Sequence, residues 1–152
     1  MCFMIDEMVA GDYQPVLELW RSVEGVGLHE EESDSPEGIA RYLAHNPGMS
    51  FVARIDGQIV GAVLCGHDGR RGYLNHLAVA ASHRRKGIAT VLIGRCLRAL
   101  GREGIAKCNL FVFAANEPAT AFWRRLGWRN YADGGIAAMS RAVEQEVTHE
   151  HP

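Results

Sequence analysis

The sequence predicts an α/β fold in which helices flank a mixed, mainly antiparallel central sheet. Apolar runs of strand length alternate with stretches of helical periodicity along the 152 residues. Two of these runs are separated only by Asp56-Gly57, a strong signal for a two-residue β-hairpin. The order of elements is one strand, two helices, three strands, a helix, a strand, a helix and a strand pair. This order indicates a mixed sheet covered by helices.

The first third of the chain reads as one strand followed by two helices. Residues 3–9 form the predicted strand, and Asp12 is the predicted N-cap of the first helix. Ser35 begins the second helix, which ends near Asn46. The segment 24–34 between the helices is rich in Gly and Glu, so we expect an irregular loop there.

The middle of the chain carries the hairpin and the longest helix. Residues 51–55, 58–65 and 73–79 are predicted strands. The segment 86–100 has the apolar stripe of an amphipathic helix, and residues 107–114 read as a buried strand.

The last part of the chain is predicted to hold one helix and two short strands. Residues 116–126 form the helix, which Gly127 closes. Residues 128–131 and 136–141 are expected to pair as strands around a glycine-rich turn. We expect a single domain over 1–143, followed by a polar C-terminal tail over 144–152.

Composition and charge restrict the possible functions. The chain is 47% hydrophobic and 22% charged, and its net charge of −2 gives no support for nucleic-acid or anionic-membrane binding. No apolar run approaches the roughly 20 residues of a membrane span. The four cysteines show no metal-binding spacing, so we expect reduced thiols, no metal and a cytoplasmic protein.

A basic turn at the start of the long helix is the best candidate for a ligand site. An apolar strand leads into Arg84-Arg85-Lys86-Gly87, and the helix follows. Gly87 lets a ligand approach the backbone, and the first N–H groups of a helix have no intrahelical acceptor. A pyrophosphate fits such a site; a solvated basic helix start is the alternative. The GxxxxGK and GxGxxG patterns are absent.

Two blocks of the sequence resemble the GCN5-related N-acetyltransferases, the GNAT superfamily. Arg84, Gly87 and Ala89 match its motif A, which reads Q/R-x-x-G-x-G/A after an apolar strand. The segment from Asn116 to Trp128 resembles the N-x-x-A-x-x-F/L-Y-x-x-x-G-F/Y block of the same family. The turn over 67–72 and the end of the second block also resemble a YpeA-like bacterial subgroup.

The resemblance implies an acetyl-CoA site. It implies that one strand binds the pantetheine arm, the basic turn binds the pyrophosphate, and the second block contacts the thiol end and lines the cofactor wall. The residues that correspond are Leu77, Ala78, Val79, Arg84, Arg85, Lys86, Gly87, Ile88, Ala89, Thr90, Asn116 and Trp123. The implied reaction is acetyl transfer to a primary amine of a small molecule or peptide by direct attack in a ternary complex. A homodimer is plausible for the family.

The proton-transfer groups are less well defined by the sequence. The family frequently uses the tyrosine of its second block as the acid, but this chain has Trp123 there, whose indole cannot transfer a proton at neutral pH. Tyr131, Tyr73 and Tyr42 are candidate acids by residue type only, and otherwise the thiolate takes its proton from water. His76 is a candidate base, with a structural role as the alternative.

Two further questions stay open at this stage. The acidic loop 26–34 either attracts a cationic amine or is simply solvated. The alternative function is a non-catalytic acyl-CoA-binding sensor of the same fold, because Trp123 replaces the usual acid.

Overall fold

A computed structural model describes residues 2–145 of the chain. The chain divides into two compact units, the first ending at Phe113 and the second beginning at Ala114, and each is described by itself. The expected single domain over 1–143 remains a prediction. Most of the predicted polar tail, residues 146–152, lies outside the described residues.

A five-stranded sheet forms the centre of the first unit. Its strands are β1 (Met4–Glu7), β2 (Phe51–Ile55), β3 (Gln58–His67), β4 (Gly72–Val79) and β5 (Cys108–Leu110), and they lie in chain order. The first four pair antiparallel, whereas β5 pairs parallel with β4. The predicted mixed, mainly antiparallel sheet is therefore confirmed.

Three of the four α-helices found within residues 2–145 belong to the first unit. They are α1 (Tyr13–Ser22), α2 (Pro36–His45) and α3 (Ile88–Arg102). Helix α4 (Glu117–Arg125) belongs to the second unit. Short 3-10 turns at Ala10–Asp12, Ala81–His83 and Tyr131–Gly134 complete the described elements. None of the helices in the described residues has the length and apolar character needed to cross a membrane.

Helices α1 and α2 differ in how their N-termini are capped. Ser35 caps α2 as predicted, since its Oγ accepts a hydrogen bond from the Gly38 N–H at 3.0 Å. Asp12 occupies the N-cap position of α1 as predicted, but its side chain makes no capping hydrogen bond. A 3-10 turn precedes α1, so the carboxylate accepts from the Val9 N–H at 3.0 Å and from Arg54 at 2.6 Å.

The helices of the first unit pack on both faces of the sheet. One face buries a cluster around Trp20 of α1, which includes Val52, Ala62 and Ala78 from three strands. Gly61, next to Ala62 on β3, faces the opposite side, where the side chains of α3 lie against it. The alternation along β3 thus places α1 and α3 in separate layers.

The sequence predicted two strand pairs around glycine-containing turns, and only one of them is present in the described residues. The predicted hairpin between β2 and β3 is confirmed, and both Asp56 and Gly57 have the positive φ that its tight turn requires. The predicted strand pair over 128–131 and 136–141 is wrong. Asn130 accepts a hydrogen bond from the Ala132 N–H at 2.9 Å, which stabilises a 3-10 turn in place of a strand.

Candidate functional site

The edge of β4 that faces β5 is only partly paired. Strand β5 is three residues long and pairs with Gly72, Tyr73 and Leu74 alone. Along this edge, residues 75–79 therefore have no strand partner in the part of the chain that the structure describes. Those backbone N–H and C=O groups of this edge that bond neither to β3 nor to a side chain can pair with an extended ligand that carries amide groups of its own. Leu77, Ala78 and Val79, predicted to bind the cofactor arm, belong to this unpaired segment.

A β-bulge marks the beginning of the unpaired segment. Ala62 pairs with Ala78 and Leu64 pairs with Asn75, so two residues of β4 lie opposite one residue of β3. His76 is one of these two residues, and its φ is +54°. A left-handed conformation at a residue other than glycine costs on the order of 1–3 kcal/mol, so its surroundings must hold it in place.

Helix α1 and the loop before α2 hold the bulge. The Trp20 indole N–H donates to the carbonyl oxygen of His76 at 2.8 Å. Nε2 of His76 lies 2.9 Å from both carboxylate oxygens of Asp34. The backbone N–H of His29 donates to the same carboxylate at 2.8 Å, and the Tyr13 hydroxyl donates to the Asp34 carbonyl at 2.7 Å. The bulge, α1 and the loop are thus joined by one hydrogen-bond network.

Asp34 is ionised at neutral pH despite its burial. Its side chain is only 5% exposed. Burial alone would raise the pKa of this carboxyl, but the hydrogen bonds from His76 and from the His29 N–H outweigh burial and bring the pKa below its ordinary value. The His76 ring therefore lies beside a negative charge.

The chain passes from β4 into α3 through a left-handed turn. Arg85 has φ +64°, and Gly87, the residue before the first helical residue, has φ +80°. No side chain caps this helix start, and the space around Gly87 is open to 4 Å. The N–H groups of Ile88, Ala89 and Thr90 are therefore directed outward without intrahelical acceptors. Such a backbone is typical of anion-binding turns.

The charges at this turn are positive. Arg84, Arg85 and Lys86 are exposed, and none of them forms an ion pair within residues 2–145. The guanidinium of Arg84 donates to the Val79 carbonyl at 3.3 Å and so connects the turn to the end of β4. Ile88 is buried, so only its backbone can contact a ligand. The first unit thus brings together the predicted residues of the strand edge and the turn.

The predicted residues of the second unit have clear local roles. Asn116 caps α4, and its Oδ1 accepts from the Ala119 N–H at 3.2 Å. Trp123 packs edge-to-face against Phe122 and Trp128, with ring centroids 5.3 and 5.2 Å apart. The cofactor-binding roles of Asn116 and Trp123 remain predictions.

Tyr131 and Cys108 carry ionisable side chains and differ in their exposure to solvent. Tyr131 is half-exposed in the 3-10 turn of the second unit, and its role as an acid remains a prediction. Burial raises the pKa of the Cys108 thiol to about 12, so this cysteine is a poor nucleophile. No cluster of three potential metal ligands is found among the described residues.

The sequence did not indicate that Asp34 and Trp20 belong to the site. Asp34 was interpreted as part of a loop that either is solvated or attracts an amine, yet it is buried against His76, 42 residues away. Trp20 is buried in the core, and its hydrogen bond to a strand carbonyl has no sequence signal.

Proteins that bind an extended, phosphate-bearing ligand can combine an open strand edge with a cationic turn at a helix start, and this chain has both features. Comparison with models of known protein families identifies the family of this chain. The model of the acetyltransferase (GNAT) family matches residues 13–128, and the chain belongs to this family. The resemblance to the GNAT superfamily is thereby confirmed, and the resemblance to a YpeA-like subgroup remains a prediction.

Curated relatives and solved structures agree with this assignment. An acetyltransferase of Sodalis glossinidius is 34% identical over 135 residues, which cover 89% of this chain and 92% of the relative. An acetyltransferase of Pectobacterium atrosepticum is 35% identical over 115 residues, covering 76% and 79% of the two chains.

The solved structures support the fold. A GNAT-family acetyltransferase of Staphylococcus aureus has a TM-score of 0.78 at 16% identity and covers 94% of this chain and 93% of its own. The PaiA N-acetyltransferase of Thermoplasma acidophilum, solved in complex with coenzyme A, has a TM-score of 0.71 at 17% identity, covering 83% and 89%.

Proposed function

We propose that this protein transfers an acetyl group from acetyl-CoA to a primary amine of a small molecule or peptide. The observation that carries the proposal is the continuity between the open edge of β4 and the uncapped cationic turn before α3. The family membership and the coenzyme A bound to the Thermoplasma relative support it.

The residues of the first unit fit both ends of the cofactor. Leu77, Ala78 and Val79 would pair with the amides of the pantetheine arm through their backbone. The N–H groups after Gly87 would hold the pyrophosphate, and the exposed cations before Gly87 would balance its charge. In the second unit, we assign the side-chain amide of Asn116 to the thiol end and Trp123 to the cofactor wall.

The reaction is a direct attack in a ternary complex. The neutral amine attacks the thioester carbonyl carbon, a C–N bond forms, and the C–S bond breaks with its electron pair on sulfur. His76 is the proposed base for the amine proton, and Tyr131 is the proposed acid for the departing thiolate. Positioning supplies most of the rate, so no protein nucleophile is needed.

Exposed acids in the loop before α2 favour a cationic acceptor. Glu30 is paired with Arg21 and Asp34 with His76, but Glu31 and Glu32 are exposed. Their charge would attract an ammonium group, such as that of a lysine, a polyamine or an amino sugar. We also propose that the protein is cytoplasmic and binds neither nucleic acid nor membranes. We further propose that it forms a homodimer, and analytical ultracentrifugation measures this oligomeric state directly.

Trp123 keeps a second candidate function, a non-catalytic sensor of acyl-CoA. The indole packs between two aromatic rings and has no acidic proton to give a thiolate. Release of free thiol over a panel of amines separates the two candidates. Saturable turnover with any amine excludes the sensor, whereas binding without turnover on a broad panel favours it.

Calorimetry with acetyl-CoA tests the site itself. Gly87→Glu places a carboxylate over the proposed pyrophosphate site and should weaken binding by more than about 10-fold, since one charge-assisted hydrogen bond contributes about 1.5–3 kcal/mol. Gly104→Glu is the matched control, because Gly104 has φ +77°, equally open surroundings and a position beyond the other end of α3. Equal losses in both variants, or no binding by the wild type, would contradict the proposal.

A further inference from the structure

The contact between His76 and Asp34 determines how the bulge can handle a proton. We propose that Asp34 is a positioning residue, whose carboxylate holds His76 with its proton on Nε2 and leaves Nδ1 free to accept the proton of the attacking amine. This inference rests on the proposed function and adds to it the residue that prepares the base.

The tautomer follows from the chemistry of the two groups. Both carboxylate oxygens of Asp34 lie 2.9 Å from Nε2 of His76. An ionised carboxylate can only accept hydrogen bonds, so Nε2 must be the donor. A neutral imidazole carries one N–H, and therefore Nδ1 is left with a lone pair.

The lone pair on Nδ1 is accessible. Nδ1 of His76 has no hydrogen-bond partner within residues 2–145. It is also absent from the fully buried polar atoms that lack a partner, so Nδ1 keeps some contact with solvent. The His76 side chain is 15% exposed, whereas that of Asp34 is 5% exposed. The dyad is thus buried at its carboxylate end and open at its imidazole end, which is the arrangement a general base requires.

The position of His76 along β4 matches the direction of the cofactor. The proposed pyrophosphate turn follows the end of β4 at Val79, so an extended arm bound along the edge runs back from that end toward His76. Residues 77–79 cover about 10 Å at roughly 3.3 Å per residue. The phosphates would then lie at the Val79 end, and the arm would carry the thioester toward the His76 end.

The surroundings of the dyad keep its geometry fixed. The Trp20 ring packs edge-on against the His76 ring with centroids 5.1 Å apart, and its N–H holds the His76 carbonyl. The His29 N–H fixes the Asp34 carboxylate, and the Tyr13 hydroxyl fixes the Asp34 carbonyl. Two hydrogen bonds therefore orient the residue that orients the base.

The proton balance of the step is simple. As the amine attacks the thioester carbon, its proton passes to Nδ1 of His76, and the imidazolium that forms is paired with the Asp34 carboxylate. The thiolate takes a proton from Tyr131 or from water. His76 then returns its proton to solvent, and the products are the acetylated amine and free coenzyme A.

Four variants test the inference: Asp34→Asn, His76→Gln, the double variant and Tyr13→Phe. Tyr13→Phe is the matched control, because it breaks the hydrogen bond to the Asp34 carbonyl and leaves the carboxylate intact. His76→Gln should lower kcat by about 10²–10⁴-fold, the usual contribution of a general base. Asp34→Asn should lower kcat by at least about 10-fold, because an asparagine amide can donate to Nε2 and favour the other tautomer.

Three readouts distinguish positioning from a merely structural role. The double variant should be no slower than His76→Gln alone, because Asp34 acts through His76. Nitrogen-15 spectra should show the Nε2–H tautomer in the wild type and in Tyr13→Phe, but not in Asp34→Asn. Calorimetry should show an acetyl-CoA affinity within about twofold of wild type in all four variants, since no cofactor contact is removed.

Specific results would overturn the inference. Full activity of Asp34→Asn, additive losses in the double variant, or an Nδ1–H tautomer in the wild type would each contradict it while leaving the proposed function intact. Equal losses of kcat in Tyr13→Phe and Asp34→Asn would show that Asp34 only anchors the loop. A wild type that binds no acetyl-CoA would instead overturn the proposed function.

Discussion

Gly61 on β3 controls how closely α3 approaches the sheet. A Cβ atom at this position would lie 3.0 Å from Cγ2 of Ile88, 3.1 Å from Cδ1 of Leu92 and 3.3 Å from Cβ of Ala53. All three neighbours are buried, so none can move into solvent. Gly61→Ala must therefore push α3 outward by a few tenths of an ångström. Because Ile88 is the first residue of α3, this shift reaches the turn that is proposed to bind pyrophosphate.

The cost of this shift can be worked out from the contacts. Overpacking a core by one methyl group costs about 1–3 kcal/mol. The reduced freedom of the unfolded chain returns about 0.4–1 kcal/mol. We expect Gly61→Ala to lower the free energy of unfolding by about 1–2 kcal/mol, which lowers the melting temperature by about 2–8 °C in a chain of this size.

Gly94→Ala is the control, because its expected effect on the free energy of unfolding is opposite to that of Gly61→Ala. Gly94 lies within α3, and a Cβ there meets nothing within 4 Å. Replacing a glycine inside a helix with alanine should stabilise the protein by about 0.5–1 kcal/mol. Urea unfolding followed by circular dichroism measures both variants, and acetyl-CoA titration should show weaker binding for Gly61→Ala. If Gly61→Ala is as stable as the wild type, the close packing of α3 against β3 is not a constraint and the reasoning fails.

Three further predictions concern the network and its supports. Ser35→Ala should lower the free energy of unfolding by about 0.5–2 kcal/mol in urea titrations because α2 loses its cap, and Ser35→Asp should retain it. Trp20→Phe leaves the His76 carbonyl without its donor and opens a cavity in the core, so it should cost at least about 1–3 kcal/mol in the same assay; an unchanged midpoint would contradict this. The pKa of Asp34 is lower in the folded than in the unfolded state, so its stabilisation is present above the ordinary carboxyl pKa and is lost as the pH falls through the folded value. Urea titrations from pH 7 down to pH 3 should therefore show a weaker acid dependence for Asp34→Asn, and parallel curves would contradict this.

Local signals in the sequence predicted most of the sheet. Asp56-Gly57 fixes the hairpin because both residues must adopt positive φ, which few other pairs tolerate. The same local reasoning failed over 128–141. There the turn around Gly135 was read as a connection between strands, but the Asn130 side chain captures a backbone N–H within two residues and forms a turn instead.

The turn proposed to bind the cofactor was predictable from the sequence, whereas the contact between His76 and Asp34 was not, for a physical reason. The turn depends on adjacent residues, from Arg84 to Ala89, so its pattern is visible in a short window. The contact between Asp34 and His76 joins positions 42 residues apart and depends on the pairing of β4 with β3. Regular alternation along β4 does not hold between Asn75 and Ala78, because the bulge inserts one residue there.

The bulge also explains how one strand could provide both the proposed cofactor-binding edge and the proposed base. Before the bulge, β4 is paired on both sides, with β3 and with β5, and is rigidly part of the sheet. From Asn75 onward it remains paired with β3 but no longer pairs with β5, so the same backbone becomes an open edge. His76 lies at this transition, where its left-handed conformation is held by Trp20 from α1 and by Asp34 from the loop. A strand without the bulge would still offer an edge to a cofactor, but it would not hold an imidazole with a free Nδ1 at the end of that edge. Removing the bulge should therefore cost turnover far more than it costs acetyl-CoA affinity.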